Sequence, residues 1–290
     1  MSLLEERARL AGRVAVIAGG GGGLGRACAL DLAGAGANLG LADKDRQTLS
    51  ETSTEARALG AQVVEEVLDV RDSDGLAEFF GNVDTVFGRF DALVNVVGGT
   101  FRSDFTDVNA KGRDALVRTN LTWVLDAMSL GARHMAQHGR GGSIVTLTSI
   151  EAHRAAPGFA VYAACKAAVE HITRTLAVEF GPQGIRVNCV APDFVPTSGL
   201  EQVARRAGSG GEVAAGAGTD IDPGDRLTIP LGRKGLPEDV GNCILFLVSD
   251  LSSYITGTTL HPDGGALAGS GWMMWPEDGF AARPPSWVLE

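Results

Sequence analysis

RVAVIAGGGGGLGRACALDLAGAGANLGLAD, residues 13–43, is the stretch whose reading decides the fold. Its first six residues, RVAVIA (13–18), form an apolar run suited to a central parallel strand covered on both faces. Five glycines follow, Gly19 to Gly23, then Leu24, Gly25 and a helical pattern through Ala35. Strand, glycine-rich turn and helix make a phosphate cradle. Backbone N–H groups at the helix start face a pyrophosphate, and residues without side chains let it approach. A merely flexible glycine loop is the competing reading, and the position between strand and helix speaks against it. Two spacings fit: Gly20, Gly22 and Gly25 satisfy G-x-G-x-x-G, while Gly19, Gly23 and Gly25 satisfy G-x-x-x-G-x-G.

ANLGLAD (37–43) reads as a second strand and ends in Asp43. A carboxylate about twenty residues past the glycine turn can accept hydrogen bonds from both adenosine ribose hydroxyls and repels a 2′-phosphate. Lys44, the next residue, is a cation that could reach such a phosphate, and Asp43 as a plain turn residue is the alternative. NAD is the expected cofactor. A helix over 46–59, a strand around 62–68, a helix over 73–88 and the strand DALVN (91–95) continue the alternation.

The chemistry is expected in SIEAHRAAPGFAVYAACK, residues 149–166. Tyr162 and Lys166 are four apart in an alanine-rich helical segment, which stacks them on one face. A phenol titrates near pH ~10, and a fixed ammonium beside it is expected to pull that value down. Ser149 ends the apolar run GSIVTLTS, a buried strand whose carboxyl end opens on the crevice where open α/β sheets bind ligands. The three supply a base, an electrostatic tuner and a donor to a carbonyl oxygen. A lone Tyr-x-x-x-Lys is common on helix surfaces; the glycine cradle and the serine set this one apart.

With twelve residues between Ser149 and Tyr162, the chain resembles the short-chain dehydrogenase/reductase family over about residues 10–267. The resemblance selects the G-x-x-x-G-x-G spacing, with Gly22 and Leu24 inside the turn. It implies one doubly wound α/β domain with a seven-stranded parallel sheet in the order 3-2-1-4-5-6-7. It implies that the Asp69 carboxylate of Asp69-Val70 meets the adenine. Asn95 and Gly98 match the family's Asn-Asn-Ala-Gly, although Val96 and Val97 replace its middle pair. Asn120, within a long helical pattern from about 107 to 137, would distort that helix and order a water near Lys166, completing a proton relay. PDFVPT (192–197) resembles Pro-Gly-x-Val-x-Thr, so Pro192, Val195 and Thr197 would lie at the nicotinamide, with Asp193 replacing the glycine. Lys166 would also bind the nicotinamide ribose, beside Tyr162.

The expected activity is hydride transfer between NAD(H) and a small secondary alcohol or ketone. Two other readings stay open: an NADPH-linked 3-oxoacyl reductase of the same fold, and a catalytically silent NAD-binding sensor. Gly99, Thr100, Glu151, Phe159 and Phe194 are candidate substrate contacts. Glu151 is either a polar contact to substrate or a solvated loop carboxylate. The segment 198–226 would cover the substrate.

The 290 residues, 44% hydrophobic and 21% charged, suit one large domain. A net charge of -10 argues against a nucleic-acid partner, and no apolar run approaches the ~20 residues of a membrane span. Cys28, Cys165, Cys189 and Cys243 are scattered, as in a reduced compartment, and the opening MSLLEERARL lacks a signal peptide's apolar core. A cytoplasmic protein is expected. His134 and His138 lack a third ligand in sequence, so no metal is assigned; they are read as lying on an exposed helix C-terminus.

The family resemblance implies a homotetramer pairing helices near 107–137 and 159–181, with Trp123, Val124 and Ala127 as apolar candidates for such a face. The tail after residue 267 carries Trp272, Trp275 and Trp287 with Met273, Met274 and Phe280. It is expected as an ordered extended strap, on its own subunit or on a neighbour near the substrate pocket.

Overall fold

A computed structural model describes residues 3–8, 10–197, 223–276, 279–283 and 288. Strand β1 (Val14–Ala18) is buried throughout, as an apolar run without polar alternation requires. Its residues divide between two cores. Val14, Val16 and Ala18 join Phe79, Phe80, Trp123, Met128 and Val169 on one side of the sheet. Ala15 and Ile17 join Cys28, Leu32, Leu49, Ile244 and Leu247 on the other. Period-two alternation thus makes two hydrophobic layers from one strand.

After a short helix α1 (Leu3–Ala8) and β1 come α2 (Gly23–Gly34), β2 (Asn38–Asp43), α3 (Arg46–Ala58), β3 (Val63–Val67), α4 (Ser73–Phe87) and β4 (Ala92–Asn95). A 3-10 turn (Phe105–Asp107), α5 (Ala110–Val117), a π-helical turn (Arg118–Thr122) and α6 (Trp123–His138) lead to β5 (Gly142–Leu147). A 3-10 turn (Ile150–Ala152), α7 (Ala160–Phe180) and β6 (Ile185–Val190) follow. The chain continues through α8 (Pro223–Thr228), α9 (Pro237–Val248), β7 (Thr259–Leu260), α10 (Ala266–Gly269) and the hairpin β8 (Met273–Trp275) and β9 (Gly279–Ala281).

The sheet is parallel, in the order β3-β2-β1-β4-β5-β6-β7, as expected. That order reverses beside β1, where β1 and β4 diverge from their connections, and doubly wound folds bind ligands at such a point.

The helical pattern from 107 to 137 is distorted at Asn120, as the family resemblance implied: a π-turn separates α5 from α6. Three expectations change. Trp123, Val124 and Ala127 point into their own chain's core, each at most 2% exposed, because the apolar stripe of α6 faces its own sheet. They give no support to a face for a second copy. His134 and His138 are not exposed: both are half-buried against Asp84 of α4, and His134 stacks on Phe90. The tail forms a hairpin instead of an extended strap, with Trp275 buried, β8 against α8, and Trp272, Met274 and Phe280 exposed. Of the segment 198–226, only 223–226 lies among the described residues, in α8; residues 198–222 and Trp287 lie outside them.

Candidate active site

The glycine turn resolves its own degeneracy. Gly19 and Gly23 have φ of 100° and 51°, in the left-handed region that favours glycine. A Cβ on Gly25 would collide with the Gly19 carbonyl oxygen. Gly19, Gly23 and Gly25 are therefore the positions the backbone requires. α2 starts at an N-cap Gly22 that offers no side-chain cap, and no acidic residue stands in its first turn. No side chain of the turn or of the first helical turn thus competes with an anion for its leading N–H groups. The Asp43 carboxylate closes the turn from β2, accepting from the Gly21 N–H at 3.0 Å and from Asp45 N–H at 3.1 Å. Thr197 stands over the turn, where a Cβ on Gly23 would meet its Cβ at 3.2 Å. A dinucleotide's pyrophosphate and ribose fit this cradle.

Asp69 departs from the simplest reading. Arg71 donates to its carboxylate from its backbone N–H and from its guanidinium, and this pairing holds Asp69 down to about 2. Val70, beside it, is buried in the core. Asn95 keeps the sheet together: its Nδ2 donates to Thr146 Oγ1 on β5 at 3.1 Å. Val195 packs in the core and Pro192 accepts from the Ile150 N–H at 3.1 Å, so 192–197 is tied to the turn after Ser149.

The Ser149, Tyr162, Lys166 and Asn120 side chains converge at the carboxyl ends of β4 and β5. Ser149 leaves β5 extended, is 9% exposed, and accepts from the Glu151 N–H at 3.2 Å. Its hydroxyl is close enough to that of Tyr162 to favour the phenolate. Lys166 lies 5.7 Å from the Tyr162 ring centroid and donates to the Leu147 carbonyl at 2.9 Å. Asn120 Nδ2 donates to the Leu116 carbonyl at 2.9 Å and to the Gly99 carbonyl at 2.8 Å, while its Oδ1 accepts from the Gly99 N–H at 3.1 Å. The Leu116 bond fills a gap in the widened helical ladder, as a π-turn needs. Gly98 lies between the two: a Cβ there would sit 3.1 Å from Lys166 Nζ and 3.2 Å from Asn120 Oδ1. The missing side chain leaves ammonium and amide open to one another.

The electrostatics correct one expectation. Tyr162 is pushed up, not down: burial opposes the phenolate and Glu151 adds repulsion, outweighing the Ser149 hydrogen bond. Lys166 is itself brought down to about 8, chiefly by burial, against the pull of Cys189, Cys165 and Glu170. A desolvated ammonium 5.7 Å from the ring centroid does not overcome the phenol's own burial.

Among the substrate candidates, Thr100 and Gly99 adjoin Asn120 through the Gly99 backbone. Phe159 lines a small apolar pocket with Phe101, Phe105, Val108 and Leu116, directly before α7. Phe194 lies under the Lys234 ammonium, 5.5 Å from its ring centroid. Glu151 is bound by Arg154 at 2.7 Å, and Arg154 also reaches Asp193 at 3.4 Å. Arg154 was not expected here. Nor were Glu170, His153 and His261, which stand behind the catalytic segment; a charged residue at Glu170, four past Lys166 on an otherwise apolar face, was the available signal.

The family model described as enoyl-(acyl carrier protein) reductase matches residues 19–266. The chain belongs to the short-chain dehydrogenase/reductase family. It is 37% identical over 259 residues to 3-oxoacyl-[acyl-carrier-protein] reductase FabG of Thermotoga maritima, covering 89% of this chain and 99% of that one. It is 35% identical over 274 residues to cyclohexanol dehydrogenase of a Rhodococcus species, covering 88% and 96%. The crystal structure of carveol dehydrogenase from Mycobacterium avium in complex with NAD superimposes with a TM-score of 0.82 at 32% identity, covering 90% and 99%. This short-chain dehydrogenase is thus an oxidoreductase of a family that binds nicotinamide cofactors.

Proposed function

We propose that this short-chain dehydrogenase interconverts a secondary alcohol and a ketone with NAD(H). The reading is carried by the convergence of Ser149, Tyr162, Lys166 and Asn120 beside a glycine turn closed by Asp43. Bound in that cradle, NAD supplies the hydride acceptor. Ser149 orients the substrate oxygen, and Tyr162 exchanges its proton with that oxygen, as acid in reduction and as base in oxidation. Burial keeps the phenol protonated at rest, which is the form that donates to a ketone. Lys166 holds the nicotinamide ribose and opposes the charge on Tyr162, while Asn120 holds open the backbone through which a water relays the proton. The four together give a silent sensor no chemical purpose.

Similarity to FabG favours the 3-oxoacyl reductase reading, and Asp43 disfavours an NADPH link because a carboxylate at the end of β2, beside the glycine turn, would repel a 2′-phosphate. Turnover of a panel of alcohols, cyclohexanol first, with both cofactors separates the readings. NAD should give the higher kcat/KM, and Asp43→Ala should narrow the preference by about tenfold, the loss of roughly one charge-assisted hydrogen bond. A wild-type preference for NADP would overturn the assignment.

We place the catalytic domain at 1–267, in keeping with a family match that ends at residue 266, with 268–290 as a tail. A cytoplasmic homotetramer fits the free cysteines and large apolar side chains left exposed on the single chain, among them Val178 on α7. Light scattering at working concentration decides the mass.

A further inference from the structure

One turn beyond Lys166 on α7 lies Glu170, a carboxylate only 4% exposed. Thr148 Oγ1 donates to its Oε1 at 2.9 Å. His153 Nε2 lies 2.9 Å from the same oxygen and 2.8 Å from Oε2. Thr148 precedes Ser149, and His153 caps the 3-10 turn that Ser149 opens. One buried carboxylate therefore fastens both ends of the Ser149 segment to the helix that carries Tyr162 and Lys166.

Burying a carboxylate is costly unless it is hydrogen-bonded and faced by positive charge, so a neutral residue would serve a purely structural tie at less expense. Lys166 is 3% exposed and keeps its proton against burial; Glu170 is the carboxylate among the groups that favour its charged form. The titratable groups facing Glu170 are Lys166 on its own helix, Cys189 on β6 and His153 on the turn. Behind His153 stands His261, which Asp263 faces in turn. Burial pushes Cys189 up to about 12, so it stays neutral.

We propose that Glu170, with His153, is a positioning residue of the reaction: it fixes the Ser149 turn against α7 and sets a buried carboxylate one helical turn from the Lys166 ammonium. This rests on the reading of Tyr162 and Lys166 above.

Glu170→Gln keeps the shape and an acceptor for Thr148 but removes the charge. It should bind NADH normally by fluorescence titration at neutral pH. The alkaline fall in kcat for cyclohexanol, or whichever alcohol of the panel turns over, should begin about one pH unit lower. Glu170→Asp should restore most of the wild-type profile. His153→Ala, at a partly exposed position, should lower kcat about tenfold at unchanged NADH affinity by loosening Ser149, and it decides the matter if the glutamine variant does not fold. An unshifted limb in a folded, NADH-binding Glu170→Gln protein, or an unchanged kcat in His153→Ala, overturns the inference while an inactive Tyr162→Phe leaves the assignment of Tyr162 standing. Turnover by Tyr162→Phe overturns both.

Discussion

At the carboxyl end of β1 the proposed site is made of backbone, whereas at the carboxyl end of β5 it is made of polar side chains, Tyr162 and Lys166 among them. Gly19, Gly23 and Gly25 act through φ and close approach, and α2 offers N–H groups with no side-chain cap. In the proposed reaction Ser149, Tyr162 and Lys166 act through hydroxyl, phenol and ammonium, and the charge states of Tyr162 and Lys166 depend on burial and on Glu151 and Glu170. The first half tolerates little change of shape. The second depends on particular hydroxyl and ammonium groups. Substitutions that respect this division should separate binding from chemistry.

Tyr162→Phe should have the largest effect. It removes one hydroxyl from a packed ring, so the cofactor cradle is untouched while the proton has no donor. Turnover should fall by about a thousandfold or more, within the range of lost acid–base catalysis, with NADH affinity nearly unchanged by fluorescence titration. Appreciable steady-state rates in the variant would sink the assignment. Ser149→Ala should cost less, about 3 kcal/mol, as when one oxyanion donor is lost.

Gly25→Ala attacks the other half. Its Cβ meets the Gly19 carbonyl oxygen, which is backbone and cannot swing aside as a side chain would. The turn must shift, at about 1–3 kcal/mol, the range for overpacking. NADH affinity and thermal stability should both fall, in contrast with Tyr162→Phe. Unchanged NADH binding would show that the turn is more pliable than its geometry implies, and would break the division drawn above.

The same division explains what the sequence discloses. The apolar run 13–18, the glycine cluster and Asp43 lie within 31 consecutive residues, so local pattern suffices for the fold and for the strand, turn and helix on which a cofactor is proposed to sit. Tyr162 and Lys166 are legible as a helical pair, but their protonation is not, because burial is a tertiary property. The Lys166 effect expected from spacing alone is outweighed by desolvation of the phenol. Trp123 misled for a related reason: an apolar helix stripe does not say which neighbour it faces, and here it faces its own sheet. His261 meets His153 across 108 residues, beyond the reach of any local pattern.

A smaller effect is expected from the tail. Trp275 is buried on its own chain, with β8 against α8, while Trp272, Met274 and Phe280 stay exposed on the hairpin. One side of the hairpin is thus a clasp over α8, and the other leaves exposed apolar surface that a neighbouring subunit would cover in the proposed oligomer. Ending the chain after Gly271 should weaken the oligomer by light scattering and raise KM for the substrate a few-fold, and more than for NAD. Unchanged assembly and KM would reduce the tail to a local clasp.

The smallest effect concerns pH and sharpens the account of the side-chain half. His153 Nε2 has room for one hydrogen or one lone pair, yet it meets both Glu170 and, at 3.0 Å, His261 Nε2. Facing a carboxylate, it donates, so His261 Nε2 must accept, and a proton on His261 would set N–H against N–H. Burial, and then the neighbouring His153, accordingly hold His261 below the ordinary histidine range. The folded chain thus takes up this proton less readily than the unfolded chain. The stability contributed by the closed contact is present above about pH 6.5, the ordinary value, and is lost as pH falls through the lower folded value. Thermal unfolding of the cofactor-free protein, scanned from pH 8 to about pH 5, should show a decline on the acid side that His261→Gln reduces. A variant whose acid decline matches wild type would place the loss in other groups and leave His261 a bystander to the His153–Glu170 pair.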